Sequence, residues 1–379
     1  QNNSTINFLK IRGSYGLAGN AGIGNFDARG LIGFGNDYNM IPGFMFDRLE
    51  NPNLEWEKSE TIDFGAEFGL FNNRFRGSLL YYVRNTRDLL LDVPIPWTTG
   101  IVNATLTQNA GEVRNQGVEF LADVDILTGP FKWTLGVNGA TVTNEVLKLV
   151  DNNADGEDDD ITGTTTLIRT GEPIGSWYLV EYAGVDPNNG NALFRDLEGG
   201  VSSAYSTSNR KVSGNAIPDF SGGFTNTFRY KGFDLSVFFQ FAMGHQLYLS
   251  EGRFYATNMA SVYNQRRDQL NAWTPENPNT NIPQARGTTN GSQHSTRYLS
   301  DADYLRLKNA QLGYTFNNIG KNNARIRIFA AGQNLLTFTD FEGLDPEASG
   351  QADGGAIQGS LFFSRPQSRT ITFGVNLGF

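Results

Sequence analysis

The sequence predicts an all-β protein whose chain supplies about ten strands of an antiparallel transmembrane β-barrel. Three observations carry this. Apolar residues alternate with polar or small ones in segment after segment, and the links between segments are alternately short and long. Charged residues make up only 18% of the 379, against about a quarter in a soluble domain, while 28 Phe, 14 Tyr and 5 Trp are present, so something other than water covers part of the surface.

In chain order the first strand is predicted at Leu9 to Tyr15. The second, Glu60 to Leu70, sets Ile62, Phe64, Ala66 and Phe68 on one face, the period of two that side chains follow along a strand. Arg74 to Asn85 repeats it with Phe75, Leu79, Tyr81 and Val83, and Gln116 to Leu127 with Val118, Phe120, Ala122, Val124 and Ile126. Lys132 to Asn144 and Ser221 to Tyr230 follow. Phe233, Leu235, Val237, Phe239, Phe241 and Met243 then alternate with Asp234, Ser236, Gln240 and Ala242, broken only by Phe238. Tyr304 to Phe316, Arg325 to Leu336 and a last strand with Ile371, Phe373, Val375, Leu377 and Phe379 complete the set. Short links fall at residues 71–73, 128–130, 231–232 and 317–323, and long ones at 16–59, 86–115, 145–220, 244–303 and 337–368. A soluble β-sandwich, the rival reading of alternating strands, has no reason to place every long link at one end. A membrane barrel does, with short periplasmic turns, long extracellular loops and an apolar outward face.

Composition excludes several classes. A net charge of -9 and a pI near 4.9 oppose nucleic-acid binding. No cysteine is present, which removes thiol nucleophiles and disulfides, and two His leave little for metals or general bases. Mean hydropathy is -0.37 and no apolar run nears the roughly 18 residues of a membrane helix. Gln1 to Phe8 lack the charged start and apolar stretch of a signal peptide, and a strand begins almost at once, so the chain reads as a piece of a longer one.

Candidate sites lie in the long links. Asp151, Asn153, Asp155 and Gly156 match the first half of a calcium loop, with Asp158 to Asp160, Asp160 foremost, as substitutes for the missing bidentate Glu, whose place Thr162 takes. A solvated acidic loop is the plainer reading. Trp97, Trp177, Tyr178, Tyr182 and Trp273 present flat apolar faces suited to sugar rings or peptides, and suited equally to pinning loops together. Trp56 and Trp133 fit an interfacial girdle. Gly19 to Gly24 and Gly30 to Gly35 sit in no strand–helix unit, so they are flexible loops rather than phosphate cradles. Met259 to Trp273, with Val262, Arg266, Gln269 and Leu270 near helical spacing, predicts a short helix stopped before Pro275 and Pro278. His245 and His294 keep open a ten-stranded outer-membrane protease, since a His beside carboxylates could activate water.

Particular stretches resemble one family. Asn51-Pro-Asn-Leu-Glu-Trp-Glu57, Thr61 to Gly69, Phe71-Asn-Asn-Arg74, Tyr81-Tyr82, Thr86-Arg-Asp-Leu-Leu90 and Pro94-Ile-Pro96 look like the SusC/RagA family of TonB-dependent outer-membrane transporters of Bacteroidetes. Asn109 to Val113, Asn115 to Glu119, Gly171 to Gly175, Pro218 to Phe224, Tyr304 to Asn309, Gly332 to Leu335, Asp345 to Glu347 and Pro366 to Arg369 follow in the family's order. The resemblance implies a barrel of roughly 22 strands with a plugged lumen, of which this chain is the C-terminal part. It implies import of a large nutrient, an oligosaccharide or oligopeptide, with a SusD-like surface lipoprotein as lid. Energy would come from TonB–ExbB–ExbD through a part of the protein outside these residues. It implies no catalytic residue and no required cofactor, contact with outer-membrane lipids, and barrels that pair two by two. An aromatic end, Phe373 and Phe379, resembles the signal read by the barrel-assembly machinery. Without a plug in the chain, a passive porin-like channel is the nearest alternative, and a soluble carbohydrate-binding β-sandwich the most distant.

Overall fold

The computed structural model describes residues 5–101, 104–256, 262–319, 324–348, 350–352 and 357–378. Ten strands follow one another across one sheet, which an eleventh, Thr143–Leu149, joins off the path: β1 (Ile6–Asn20), β2 (Glu57–Leu70), β3 (Phe75–Pro94), β4 (Thr105–Thr128), β5 (Phe131–Thr141), β6 (Phe220–Tyr230), β7 (Phe233–Met243), β8 (Tyr304–Ile319), β9 (Ala324–Thr339) and β10 (Thr370–Gly378). Each pairs antiparallel with its chain neighbour, and among the described residues β1 and β10 do not pair with each other, so the sheet is open.

Register sorts the two faces. One cross-strand row reads Leu9, Phe68, Gly77, Ala122, Val137, Phe224, Phe239, Leu307, Leu336. The row offset by one residue reads Lys10, Glu67, Ser78, Leu121, Asn138, Gly223, Gln240, Arg306, Thr337. Directly opposed residues share a face, so one face is apolar across the sheet and the other is largely polar. Among the described residues no second sheet covers the apolar face: Leu9, Ile11, Phe64, Leu79, Leu312 and Phe373 are all exposed. That removes the β-sandwich reading, whose inner faces would bury such residues. Trp133, Phe131 and Phe228 stack near the short-turn end, at 5.7 and 6.0 Å between ring centroids, and Trp56 lies at the other end, just before β2.

Faces make a prediction. Leu79 lies about 13 Å along β3 from its turn, near the middle of a lipid band about 25 Å tall. Leu79→Arg is expected to cost about 2–4 kcal/mol and to deplete the folded, heat-modifiable barrel of the full-length protein, whereas Ser78→Arg, one residue away and opposite Glu67, should leave it near the parent level. Equal loss in both would refute the assignment of faces.

All short turns lie at one end of the sheet. Lys231 and Gly232 form a two-residue hairpin with φ of 45° and 89°, the left-handed pair whose twist matches that of the strands it joins. Strands run further than the alternation predicts, β1 from Ile6 to Asn20 rather than Leu9 to Tyr15. The expected loop at 86–115 is mostly a hairpin, because β3 continues to Pro94 and β4 begins at Thr105. A bulge between Thr86 and Leu89, with Asp88 at φ 57°, breaks the period there and hid the continuation. The strand predicted to reach Asn144 ends at Thr141, and Thr143–Leu149 pairs instead with the extended part of β4. Loop 16–59 carries its own hairpin, Leu31–Tyr38 with Ile41–Arg48. The helix predicted from Met259 to Trp273 is not formed as such: Gly252–Tyr255 is helical, Arg267–Asn271 is a 3-10 turn, and Met259 lies outside the described residues. Val262 and Leu270 are 99% and 83% exposed, so the spaced apolar residues find no surface to pack on.

Buried residues gather at the long-link end: one cluster uses the extended ends of β3 and β4 (Leu91, Val93, Ala110, Val113) with Val146 and Leu149, and the others lie beyond the wall. Trp177, Tyr248, Leu167, Leu179 and Leu361 are fully enclosed, and all belong to the long links. Strand Ser176–Val185 pairs with Thr166–Ile168, Ala192–Arg195 and Arg210–Val212, while Gln246–Leu249 runs parallel to Ser360–Leu361. The described parts of links 142–219, 244–303 and 340–369 thus fold together as a cap on one end of the sheet.

Candidate functional site

Two clamps stand out, one joining cap to wall and one tying the extended ends of β3 and β4 to the link before β2. Arg306, on the polar face near the cap end of β8, is 2% exposed and pairs with Asp345 and Glu347, and its Nε donates to Thr337 Oγ1 at 3.0 Å. Asp345 also accepts the amides of Glu347 (2.9 Å) and Gln367 (2.7 Å), and Lys308 reaches the second oxygen of Glu347. Burial by itself would push the Asp345 carboxyl up, but the Arg306 hydrogen bond, the two amides and the Arg306 charge hold it below the ordinary carboxylate value. The second clamp lies beside β2 and β3. Asn109 accepts the Glu55 amide at 2.8 Å and donates to the carbonyls of Glu55 and Asp88, while Glu57 accepts the Leu90 amide at 3.1 Å. Tyr304 to Asn309, Asp345 to Glu347 and Pro366 to Arg369, separate stretches in the sequence, therefore meet at the first clamp, and Asn51 to Glu57, Thr86 to Leu90 and Asn109 to Val113 at the second.

The candidate aromatics divide by exposure. Trp97, on a 3-10 turn at the tip of the β3–β4 hairpin, is 75% exposed. Trp177 is completely buried, its Nε1 donating to the Gln246 carbonyl at 3.0 Å, and Trp273 is 7% exposed with Nε1 donating to the Pro187 carbonyl at 3.0 Å. As placed, these two rings tie links to each other and offer no face to a ligand. Tyr178 is half-buried with Arg210 over its ring at 4.8 Å, and the Tyr182 hydroxyl donates to the Asn281 carbonyl at 2.9 Å. Burial pushes the Tyr182 phenol far up.

Asp151, Asn153 and Asp155 form a tight acidic turn. Asp151 accepts the amides of Asp155 (3.3 Å) and Gly156 (2.9 Å), and Asn153 accepts that of Asp155 at 2.8 Å. Asp160 does not join them. It takes a forked bond from Arg169, Nε at 3.0 Å and Nη2 at 2.6 Å, which is the geometry a guanidinium and a carboxylate prefer. Among the described residues no group of three or more His, Asp or Glu side chains is placed to hold a metal ion. The turn as folded therefore does not gather the four predicted ligands.

The two histidines sit in different surroundings. His245 is 7% exposed and lies 4.0 Å from Asp303, and burial pushes its pKa down. His294 has the Tyr248 hydroxyl on Nδ1 at 2.9 Å and Arg253 on Nε2, so both ring nitrogens are engaged inside the cap. Phe373 is 78% exposed on the apolar face, opposite Ala330, and Phe379 lies outside the described residues.

Sequence reasoning passed over the charged residues of the polar face, such as the Lys10–Glu67 pair at 3.5 Å and the Arg76–Asp125 pair at 3.2 Å. The alternation held their signal, because each stands one place from an apolar residue already assigned.

A sheet with a lipid-type apolar face, a charged opposite face and a folded cap at one end is the wall of an outer-membrane β-barrel. The model of the TonB dependent receptor-like β-barrel family matches residues 5–335, and the chain belongs to that family, whose members are outer-membrane proteins. It is 35% identical over 416 aligned residues to TonB-dependent receptor P3 of Formosa agariphila and 28% over 405 to TonB-dependent receptor SusC of Bacteroides thetaiotaomicron. Those alignments take in 100% and 99% of this chain but 40% and 38% of the relatives, so the chain spans about two-fifths of the length of the curated relatives it matches. Among solved structures, the RagAB peptide transporter superposes with a TM-score of 0.84 at 29% identity, over 100% of this chain and 42% of that one. The RagAB peptide importer in its "open-open" state gives 0.83 at 30% identity, over 100% and 41%.

Proposed function

We propose that this chain is the C-terminal part of the wall of an active transporter that brings a large nutrient, an oligosaccharide or oligopeptide, across the outer membrane. The observation that carries the reading is the fold itself, ten wall strands under a self-cored cap, superposing at a TM-score of 0.84 on a chain of the RagAB peptide transporter. Two unpaired edges, β1 and β10, need further strands, and a barrel of roughly 22 would close them. In this reading the cap faces outward, the short turns and the C-terminus face the periplasm, and a SusD-like lipoprotein covers the cap. Ligand is held between the two and contacts Trp97. A plug formed by the rest of the protein couples release to TonB–ExbB–ExbD. No bond is broken in transport, so neither catalytic residue nor cofactor is needed. Lipids contact the apolar face, the barrel-assembly machinery reads the strand that bears Phe373, and two such transporters pair.

The test is native mass spectrometry of the full-length protein purified from outer membranes in mild detergent, together with uptake measured with and without TonB. A chain far above 41.7 kDa, a lipoprotein in equal amount and uptake that stops without TonB are the expected results, and any retained ligand names the nutrient. Uptake that persists without TonB would overturn the active mechanism in favour of a passive channel.

A further inference from the structure

Cap and wall meet where five neighbouring strands, β5 to β9, end or begin, and one imidazole is enclosed there. Asp219 directly precedes β6, Gly244 and His245 follow β7, and Asp303 directly precedes β8. The Asp219 carbonyl accepts the amide of Val142, just past β5, at 3.2 Å, and the Asp303 carbonyl accepts the hydroxyl of Thr339, the last residue of β9, at 2.7 Å. Gly244 donates its amide to Asp303 Oδ1 at 2.7 Å, and the His245 carbonyl accepts the Ala302 amide at 3.0 Å. Gly244 stands at φ 81°, and an added Cβ would lie 2.5 Å from Asp219 Oδ2, so only glycine turns the chain this closely past that carboxylate. The turn tucks the next side chain away: His245 is 7% exposed, and its Nδ1 is enclosed with no hydrogen-bond partner among the described residues.

The charged groups that face this ring are carboxylates. Asp303 Oδ1 lies 4.0 Å from Nδ1, and Asp219 acts on the ring from the link before β6. Asp301 is taken up by the Gln246 side-chain amide at 2.9 Å. Asp303 and Asp219 favour an imidazolium, yet burial outweighs them and holds the His245 pKa below its ordinary value. The seat therefore prefers the neutral ring, whereas a ring released into water takes up a proton at about pH 6.5.

We propose that His245 is a proton-operated latch between cap and wall: neutral, it stays seated beside Asp219 and Asp303 and holds the junction at β6, β7 and β8; protonated, it leaves the seat and the junction loosens. Because the seated ring binds a proton less readily than the released one, the latch is complete above about pH 6.5 and is lost as pH falls from there through the lowered value. That window begins above the carboxylate range of about 4 in which the Asp345 clamp responds.

The experiment follows hydrogen exchange of 218–221, 242–247 and 300–305 in the full-length protein in mild detergent, from about pH 7.5 to about pH 5, corrected for the intrinsic pH dependence of amide exchange. Protection of these three segments should fall together, by up to about tenfold for each pH unit below about 6.5, the limit for a single proton. His245→Gln should abolish the dependence, and His294→Gln, at the other histidine of this chain, should leave it in place. Asp303→Asn keeps an oxygen for the Gly244 amide and removes a charge that favours the imidazolium, so the midpoint should move to lower pH. Should His245→Gln fail to assemble, that midpoint reads the same titration with the histidine intact. A dependence that survives His245→Gln or vanishes in His294→Gln, a midpoint raised in Asp303→Asn, or protection that grows on acidification would overturn the proposal. So would a response confined to 250–256, where burial pushes the Glu251 carboxyl up.

Discussion

Arg306→Ala is expected to release link 340–369 from the wall at a cost of about 3–5 kcal/mol, the usual loss when one partner of a buried ion pair is removed. Asp345, 4% exposed, would keep its two amide bonds but lose the only cation paired with it among the described residues, where Glu347 would retain Lys308 alone. Hydrogen exchange of 340–348 and 358–369 in the full-length protein reads the release directly. Lys308→Ala, at a more exposed position, should change it by about 1 kcal/mol or less. In an Arg306→Met, Asp345→Leu double variant much of the protection should return, since no buried charge is left without a partner. The same clamp sets a pH dependence. The Asp345 carboxyl is held below its ordinary value in the folded state, so its contribution is complete above the usual carboxylate range of about 4 and is lost as pH falls through the lowered value. Protection of this link should therefore decline on acidification below that range, and Asp345→Asn should abolish the dependence. Unchanged exchange in Arg306→Ala would show that the clamp holds nothing.

Trp177→Ala should cost the cap about 3–5 kcal/mol, the range for emptying an aromatic site in a packed core. The ring is fully enclosed, lies 5.8 Å from Tyr248 by centroids and donates to Gln246 from 69 residues away. Gly359, at φ 107°, lets the backbone pass beside it, where a Cβ would stand 3.1 Å from the indole. Exchange should accelerate in 176–185, 246–249 and 358–361 together, while heat-modifiable migration, a property of the wall, stays as in the parent. Trp177→Phe keeps most of the packing and leaves the Gln246 carbonyl unpaired, for about 1–3 kcal/mol. Trp97→Ala, at an exposed tip, should leave stability within about 0.5 kcal/mol and is the variant to compare in ligand binding. A cap indifferent to Trp177→Ala would show that the links fold independently of one another.

How legible each part was follows from its range along the chain. The β6–β7 hairpin could be read because Phe233 to Met243 repeats every second residue around a two-residue turn, all within one short stretch. The β3–β4 extension was missed because a single bulge at Asp88 reset the period, and only pairing with β4 shows that the strand goes on. Tyr178 and Trp177, adjacent in sequence, looked equivalent, yet neighbouring side chains of a strand point to opposite sides. One meets Arg210 and the other the cap core. Asp160 looked like a fourth ligand by spacing, but Arg169, nine residues on, offered its carboxylate a stronger partner.

By itself the sequence determined the wall: ten strands, their order, the end that bears the short turns, and which face meets lipid. A strand's period is local, and in a membrane wall each residue meets either an apolar or a polar surrounding, so the alternation is written residue by residue. Only the tertiary structure decided what the long links do. Their partners lie far apart in the chain, Tyr182 with Thr296 and Arg306 with Asp345, and no period announces such contacts. Whether an aromatic faces a ligand or a core, and whether an acid waits for a cation or already has one, depends on those distant meetings.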